Sequence, residues 1–219
     1  EQLRYRVYTL EKAVGHLWRG RERLYDARLY ALADLRERKE SLEFRTRNAV
    51  EAGVDVIQLR DKEASDRELV MAARVMREVT HALDALLIVN DRPDIARVVN
   101  ADGVHLGQDE LTVADARAIV GPDALIGIST HSLQQARQAV LDGADYIGVG
   151  PAFPSQTKDF SEHLGEELIG QIAHEVGLPT FAIGGITAQR LAALLARGVT
   201  RVAVGHAIWA AEDLQQSVR

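Results

Sequence analysis

Eight short apolar runs cross this chain, each closed by a cluster of glycine, polar or charged residues, and no other feature narrows the choice of fold as far. The runs are Leu29–Ala33, Val54–Leu59, Ala85–Val89, Gly103–Leu106, Leu125–Ile128, Tyr146–Val149, Thr180–Ile183 and Val202–Val204. Between them lie helical stretches at about 38–52, 66–82, 92–100, 112–119, 132–142, 164–176, 187–197 and 207–216. Strand-like runs alternating with helices form βα units and a parallel sheet. Eight such units predict an α/β fold, a closed (β/α)8 TIM barrel with an extra N-terminal helix. Chemistry in such barrels sits at the C-terminal ends of the strands, so one pattern predicts both the architecture and the location of the site.

The length, 219 residues, accommodates one barrel and little else. Aromatic residues make up only 5%, which predicts a core of Val, Ile, Leu and Ala. The absence of cysteine excludes a disulfide framework and a thiolate zinc site, and fits a cytoplasmic protein. No apolar run reaches the ~20 residues of a membrane span. A net charge of −6 argues against a nucleic-acid partner but permits an anionic substrate wherever cations are gathered at one place.

Residues 1–27 read as an N-terminal helical extension, and residues 28–219 as the barrel. Leu3, Val7, Leu10, Val14, Leu17 and Leu24 form a heptad-like seam broken by Arg21. An amphipathic helix lying on the barrel is expected. The alternatives are pairing in a homo-oligomer or a join to an upstream fused domain through residues 1–24. Gly53, Gly103, Gly143 and Gly198 recur just before strands, as glycine does at helix C-termini. The connection from Gly150 to Leu164 is long and aperiodic, and is expected to serve as a lid at the barrel mouth.

Strand alternation places Gln58, Arg60 and Lys62 on one inward face and Leu59 on the other. An unpaired inward cation is costly, so an anion should meet Arg60 and Lys62, either a substrate or carboxylates of the barrel itself. Asn90-Asp91 and Gln108-Asp109-Glu110 end neighbouring strands, where carboxylates suit Mg2+ that also binds phosphate oxygens. Asp91 could equally cap the helix that starts at Pro93. Ser155, Gln156, Thr157 and Lys158 offer phosphate donors within the long loop. Gly184-Gly185 and Gly205-His206 follow the last two strands, where barrels often hold a phosphate on backbone N–H groups. The remaining histidines, His105 included, show no zinc spacing and no triad.

The ordered segments QLRDK, NDRPD, GVHLGQDEL, GISTHS, GADYIGVGPAFPSQTK and FAIGGIT resemble the thiamine phosphate synthase family from about Arg28 to Ile208. The resemblance implies a Mg2+-dependent transferase of thiamine biosynthesis. It would condense hydroxymethylpyrimidine diphosphate with thiazole phosphate to give thiamine phosphate and diphosphate, through a dissociative, carbocation-type mechanism. It also assigns roles by position. Gln58, Arg60, Lys62, Asn90 and Ser129 would contact the pyrimidine diphosphate, and Asp91 and Glu110 would hold the metal. Arg60, Lys62 and Lys158 would act on the leaving diphosphate, and Ser155, Gln156, Thr157 and Gly185 would hold the thiazole phosphate.

Two positions depart from the family pattern. Glu110 stands where an aspartate is usual, and His206, after Gly205, where a serine usually meets the thiazole phosphate. The rival readings are a thiazole tautomerase-like barrel and a non-catalytic ligand-sensing barrel. Retention of Arg60, Lys62 and Lys158 argues against both.

Overall fold

The protein is known from a computed structural model that describes residues 7, 19–36, 40–154 and 163–209, without the side chains of 19, 20, 206 and 207. Eight parallel strands close into a barrel in sequence order: β1 Leu29–Ala33, β2 Val56–Leu59, β3 Leu86–Asn90, β4 Gly103–Leu106, β5 Leu125–Thr130, β6 Tyr146–Val149, β7 Thr180–Ile183 and β8 Val202–Val204. The helices are α1 Arg19–Asp26, α2 Leu42–Ala52, α3 Asp66–Ala82, α4 Pro93–Val99, α5 Val113–Val120, α6 Leu133–Asp142, α7 Gly165–Glu175, α8 Ala188–Ala196 and α9 His206–Trp209. The predicted barrel is therefore the observed one. Local chemistry starts many of the helices: the side chains of Ser41, Ser65, Thr112, Ser132 and Thr187 each accept a backbone N–H from the first turn. Among the described residues no helix is long and apolar enough to cross a membrane.

Alternation along the strands divides the apolar residues into two cores. Outward-facing residues such as Ala31, Ile57, Leu59, Leu87, Val104, Ile126 and Ile147 pack beneath the helices. Inward-facing Tyr30, Val56, Leu86, Ile88, Leu125, Tyr146, Phe181 and Ala203 fill the barrel. The barrel centre is more aromatic than its composition predicts. The Tyr30 and Tyr146 rings lie edge-on to Phe181, with centroids 5.2 and 5.9 Å away. Glycine makes the space, since a Cβ on Gly127 of β5 would stand 2.1 Å from the Tyr146 ring.

The N-terminal ends of the strands are stapled by aspartates. Asp55 accepts from the Arg28 and Leu29 N–H groups at 2.7 and 2.9 Å, Asp102 from Leu87 at 2.8 Å, and Asp145 from Ile126 at 2.9 Å. Each aspartate precedes an even-numbered strand and grips the strand before it. Asp102 also pairs with Arg77 at 3.2 Å, and Asp145 with Arg117 at 2.5 Å.

Helix α1 packs on the barrel at its floor, where Leu24 (1% exposed) and Ala27, just after the helix, join the inner core. Arg21 reaches Asp145 at 3.0 Å and Arg23 reaches Asp102 at 3.1 Å, so the aspartates that staple the strands also anchor this helix. The open end of the barrel floor needs an apolar cover. The seam residues Leu3, Leu10, Val14 and Leu17 lie outside the described residues, as does the expected continuation of the last helix beyond Trp209.

The glycine repeat is partly realised. Gly53 and Gly143 are left-handed C-caps of α2 and α6. Gly103 is instead the first residue of β4, where a Cβ would meet the Leu125 carbonyl oxygen at 2.2 Å, and Asn100 takes the left-handed cap of α4.

Candidate active site

Strand β2 carries Gln58 into the barrel, where it is 3% exposed. Its amide Nε2 donates to the Tyr30 hydroxyl at 2.7 Å. Arg60 follows directly after the strand, its own N–H bound to the Ala33 carbonyl. Lys62 stands at the rim, half exposed, with Nζ 3.5 Å from Asp91 Oδ2. Surface exposure keeps that pair weak, so Lys62 is available to a stronger anion.

Asp91 is one of three non-glycine residues with positive φ among the described residues, at 58°. It does not cap the helix after it: the N-cap of α4 is Arg92, with no side-chain cap bond, and Pro93 occupies the first turn. Its N–H binds the His105 carbonyl at 2.8 Å, and its carboxylate accepts from Asn90 Nδ2 at 2.6 Å. A left-handed aspartate held this way directs its carboxylate into the mouth, between β2 and β4. Local strain of this kind is common at functional sites.

Strand β5 contributes Ser129. Its carbonyl accepts from Gln108 Nε2 at 2.6 Å, joining the loop after β4 to β5, and its hydroxyl lies 3.0 Å from His105 Nε2. The mouth of β2 to β5 thus assembles Gln58, Arg60, Lys62, Asn90, Asp91 and Ser129. Glu110 lies exposed on the loop after β4, and among the described residues no contact joins it to Asp91.

Sequence reasoning passed over His105. The histidine points inward from β4, with Nδ1 3.2 Å from the Tyr146 hydroxyl, and Tyr146 is in turn 3.0 Å from the Tyr30 hydroxyl. Burial pushes the His105 imidazole down to about 4, with a smaller upward pull from Asp91 and a further downward push from Arg60. Burial raises both the Tyr30 and Tyr146 phenols above their usual range, so each stays protonated. The missed signal was strand parity: Tyr30, Gln58, His105, Ser129 and Tyr146 all fall on inward positions of their strands.

On the opposite side of the mouth, both ends of the long connection are tied down. Leu164 N–H binds the Pro151 carbonyl at 2.8 Å, and Ala152 and Phe153 bind the Ile183 and Gly184 carbonyls at 2.8 and 3.1 Å. Gly185, at φ 62°, lets this segment approach: a Cβ there would meet the Pro154 oxygen at 2.5 Å. Arg190 clamps the turn from above, donating to the Gly185 and Pro154 carbonyls at 2.7 and 3.0 Å. Ser155, Gln156, Thr157 and Lys158 lie outside the described residues, in the segment that begins and ends at this rim. Gly205 follows β8 with open space at its α-carbon and precedes α9; the side chain of His206 lies outside the described residues.

Among the described residues no three His, Asp or Glu side chains cluster into a metal cage. Mg2+ that shares phosphate oxygens with a substrate needs only one or two protein carboxylates, and Asp91 offers one in the mouth. The donor set fits that kind of site.

The family description "Thiamine monophosphate synthase" matches residues 29–208, the whole barrel from β1 to α9. The chain belongs to the thiamine monophosphate synthase family. It is 46% identical to a thiamine-phosphate synthase of Gloeobacter violaceus over 215 residues, covering 97% of this chain and 61% of that protein. A thiamine-phosphate synthase of Halalkalibacterium halodurans is 44% identical over 192 residues, covering 87% of this chain and 91% of that protein. Among solved structures, the thiamine phosphate pyrophosphorylase of Pyrococcus furiosus superposes with a TM-score of 0.80 at 35% identity, covering 89% of this chain and 93% of that one. The chain thus spans about three-fifths of the Gloeobacter relative and nearly all of the Halalkalibacterium one.

Proposed function

We propose that this barrel joins a hydroxymethylpyrimidine diphosphate to a thiazole phosphate and releases diphosphate. The observation that carries the reading is the convergence of Arg60, Lys62, Asn90, Asp91 and Ser129 on one mouth of a barrel of this family. Two cations and neutral donors suit a diphosphate, and the Ser129 hydroxyl, 3.0 Å from His105 Nε2, meets only a weak base, because burial pushes that imidazole down to about 4. The chemistry that needs only this is dissociative. The bond between the pyrimidine methylene and the diphosphate oxygen breaks with both electrons leaving on oxygen. The ring-stabilised cation is then captured by the thiazole nitrogen, forming the carbon–nitrogen bond. Catalysis then consists of holding the partners in line and stabilising charge that grows on the diphosphate.

Arg60 and Lys62 approach the diphosphate from β2, and Asn90 and Ser129 orient the pyrimidine end. Asp91 and Glu110 would hold Mg2+, which when bound neutralises diphosphate charge. Lys158, in the segment that starts beside Gly185, would follow the departing group. Ser155, Gln156 and Thr157, with Gly185, Gly205 and His206, would receive the thiazole phosphate. A cysteine-free chain acting on phosphorylated metabolites fits a cytoplasmic enzyme.

Mixing both substrates with Mg2+ should yield thiamine phosphate and diphosphate, and excess chelator should stop the reaction. No product under these conditions would refute the synthase reading. Lys158→Ala should slow the chemical step by about 2–4 kcal/mol in single-turnover kinetics while thiazole phosphate binding changes little. An unchanged chemical step would remove Lys158 from its role.

A further inference from the structure

A continuous chain of polar groups crosses the inside of the barrel beneath the proposed site. Gln58 Nε2 lies 2.7 Å from the Tyr30 hydroxyl, Tyr30 3.0 Å from the Tyr146 hydroxyl, Tyr146 3.2 Å from His105 Nδ1, and His105 Nε2 3.0 Å from Ser129 Oγ. The barrel is shaped to contain it. Gly127 leaves room for the Tyr146 ring, and Gly148 faces the His105 ring, whose Cε1 would lie 3.4 Å from an added Cβ.

Counting hydrogens along this chain gives it a direction. An amide nitrogen only donates, so Tyr30 accepts from Gln58. The Tyr30 hydrogen must then go to Tyr146, the one acceptor left to it among the described residues. That gap is now filled, so Tyr146 donates to the next group, His105 Nδ1. A neutral imidazole carries a single proton, and with Nδ1 bare it sits on Nε2 and is given to Ser129 Oγ. The serine thus has one lone pair occupied from below and, among the described residues, no acceptor for its own hydrogen. Rests on the synthase reading above only the identity of the group that receives that hydrogen.

We propose that this polarised chain holds His105 as the Nε2–H tautomer and thereby presents Ser129 as a hydrogen-bond donor to the pyrimidine diphosphate. His105 is on this view a positioning residue that never touches the substrate.

Two measurements on the full-length protein test it. In 15N-histidine NMR, the His105 signal, assigned by its loss in His105→Gln, should show a protonated Nε2 and a bare Nδ1. Tyr146→Phe, which removes one hydroxyl and keeps the ring, should let the two tautomers mix. A wild-type imidazole protonated at Nδ1 overturns the proposal, whatever reaction the barrel performs. The second measurement is a KM-against-kcat comparison. His105→Asn keeps a polar atom near Nδ1 but cannot reach Ser129, and should raise KM for the pyrimidine diphosphate about tenfold, the loss of one hydrogen bond to a charged group. The thiazole phosphate KM should stay put, and His105→Gln, whose amide reaches the Nε2 position, should recover most of the loss. Equal effects of Asn and Gln, or parallel shifts for both substrates, would leave His105 a packing residue. A wild-type protein that makes no thiamine phosphate refutes the synthase reading instead, with the tautomer result still deciding the direction of the chain.

Discussion

His105 shows how much one inward residue can hold. Its imidazole titrates near 6.5 in an unfolded chain and is pushed down to about 4 by burial in the barrel. Between those values the unfolded chain binds the extra proton and the folded one does not. Stability is therefore full above about pH 6.5 and falls as the pH drops towards 4, by up to about 3 kcal/mol. Urea unfolding across this window should show the slope in the wild type and a flatter profile in His105→Gln; identical profiles would place the acid sensitivity elsewhere. Gly127 makes a complementary point through volume. A methyl group there stands 2.1 Å from a Tyr146 ring fixed by Tyr30, His105 and Phe181. Gly127→Ala should therefore cost about 1–3 kcal/mol by overpacking, with the tyrosine shifted away from His105. A denaturation midpoint like that of wild type would show the ring can move freely.

Among the elements, α1 has the least regular place and a clear job. Eight strands leave an open apolar floor, and Leu24 and Ala27 close it while Arg21 and Arg23 bond to the stapling aspartates. Leu24→Ala should destabilise the protein by about 2–5 kcal/mol, as removal of a fully buried leucine does. Asp145 is the most buried of the stapling carboxylates, its side chain 1% exposed between Arg21 and Arg117. Asp145→Ala leaves those guanidiniums and the Ile126 N–H without it, and about 3–5 kcal/mol should be lost. Chemical denaturation checks both, and a loss under 1 kcal/mol in either would mean that α1 is not integral to the barrel. A protein starting near Asp26 would lack Leu24 and both arginines. It should retain substrate chemistry only to the extent that it stays folded, which thermal melts and assay of the same sample would separate.

For the whole molecule the telling contrast is charge. The chain carries −6 overall, yet its mouth gathers Arg60 and Lys62 beside a carboxylate and neutral donors. An anion would be drawn to that one place, and the attraction should weaken as salt screens it. A ligand that binds only the folded barrel stabilises it by mass action. Pyrimidine diphosphate with Mg2+ at a hundredfold its Kd should add about 2.7 kcal/mol, roughly a 6 °C rise in Tm for a chain of this size. No shift in a thermal melt at saturating ligand would mean the mouth does not take that substrate.

The barrel was legible in the amino-acid sequence because strand and helix periods are local properties. A run such as Thr180–Ile183 followed by Gly184-Gly185 carries its own ending, and the structure places that strand on the same residues. Parity likewise made Gln58 legible as an inward residue of β2, whereas Arg60 and Lys62 lie beyond the end of that strand at Leu59, where alternation no longer sets direction. What the tertiary structure decided were contacts between residues far apart in the chain. Tyr30 meets Tyr146 across 116 positions, and His105 meets Ser129 across 24. No local pattern distinguishes an inward histidine that orders a hydrogen-bond chain from one that merely packs. Nor does a heptad-like seam say whether its last turn lies on a barrel or fills its floor, because that depends on which apolar surface the closed sheet leaves uncovered.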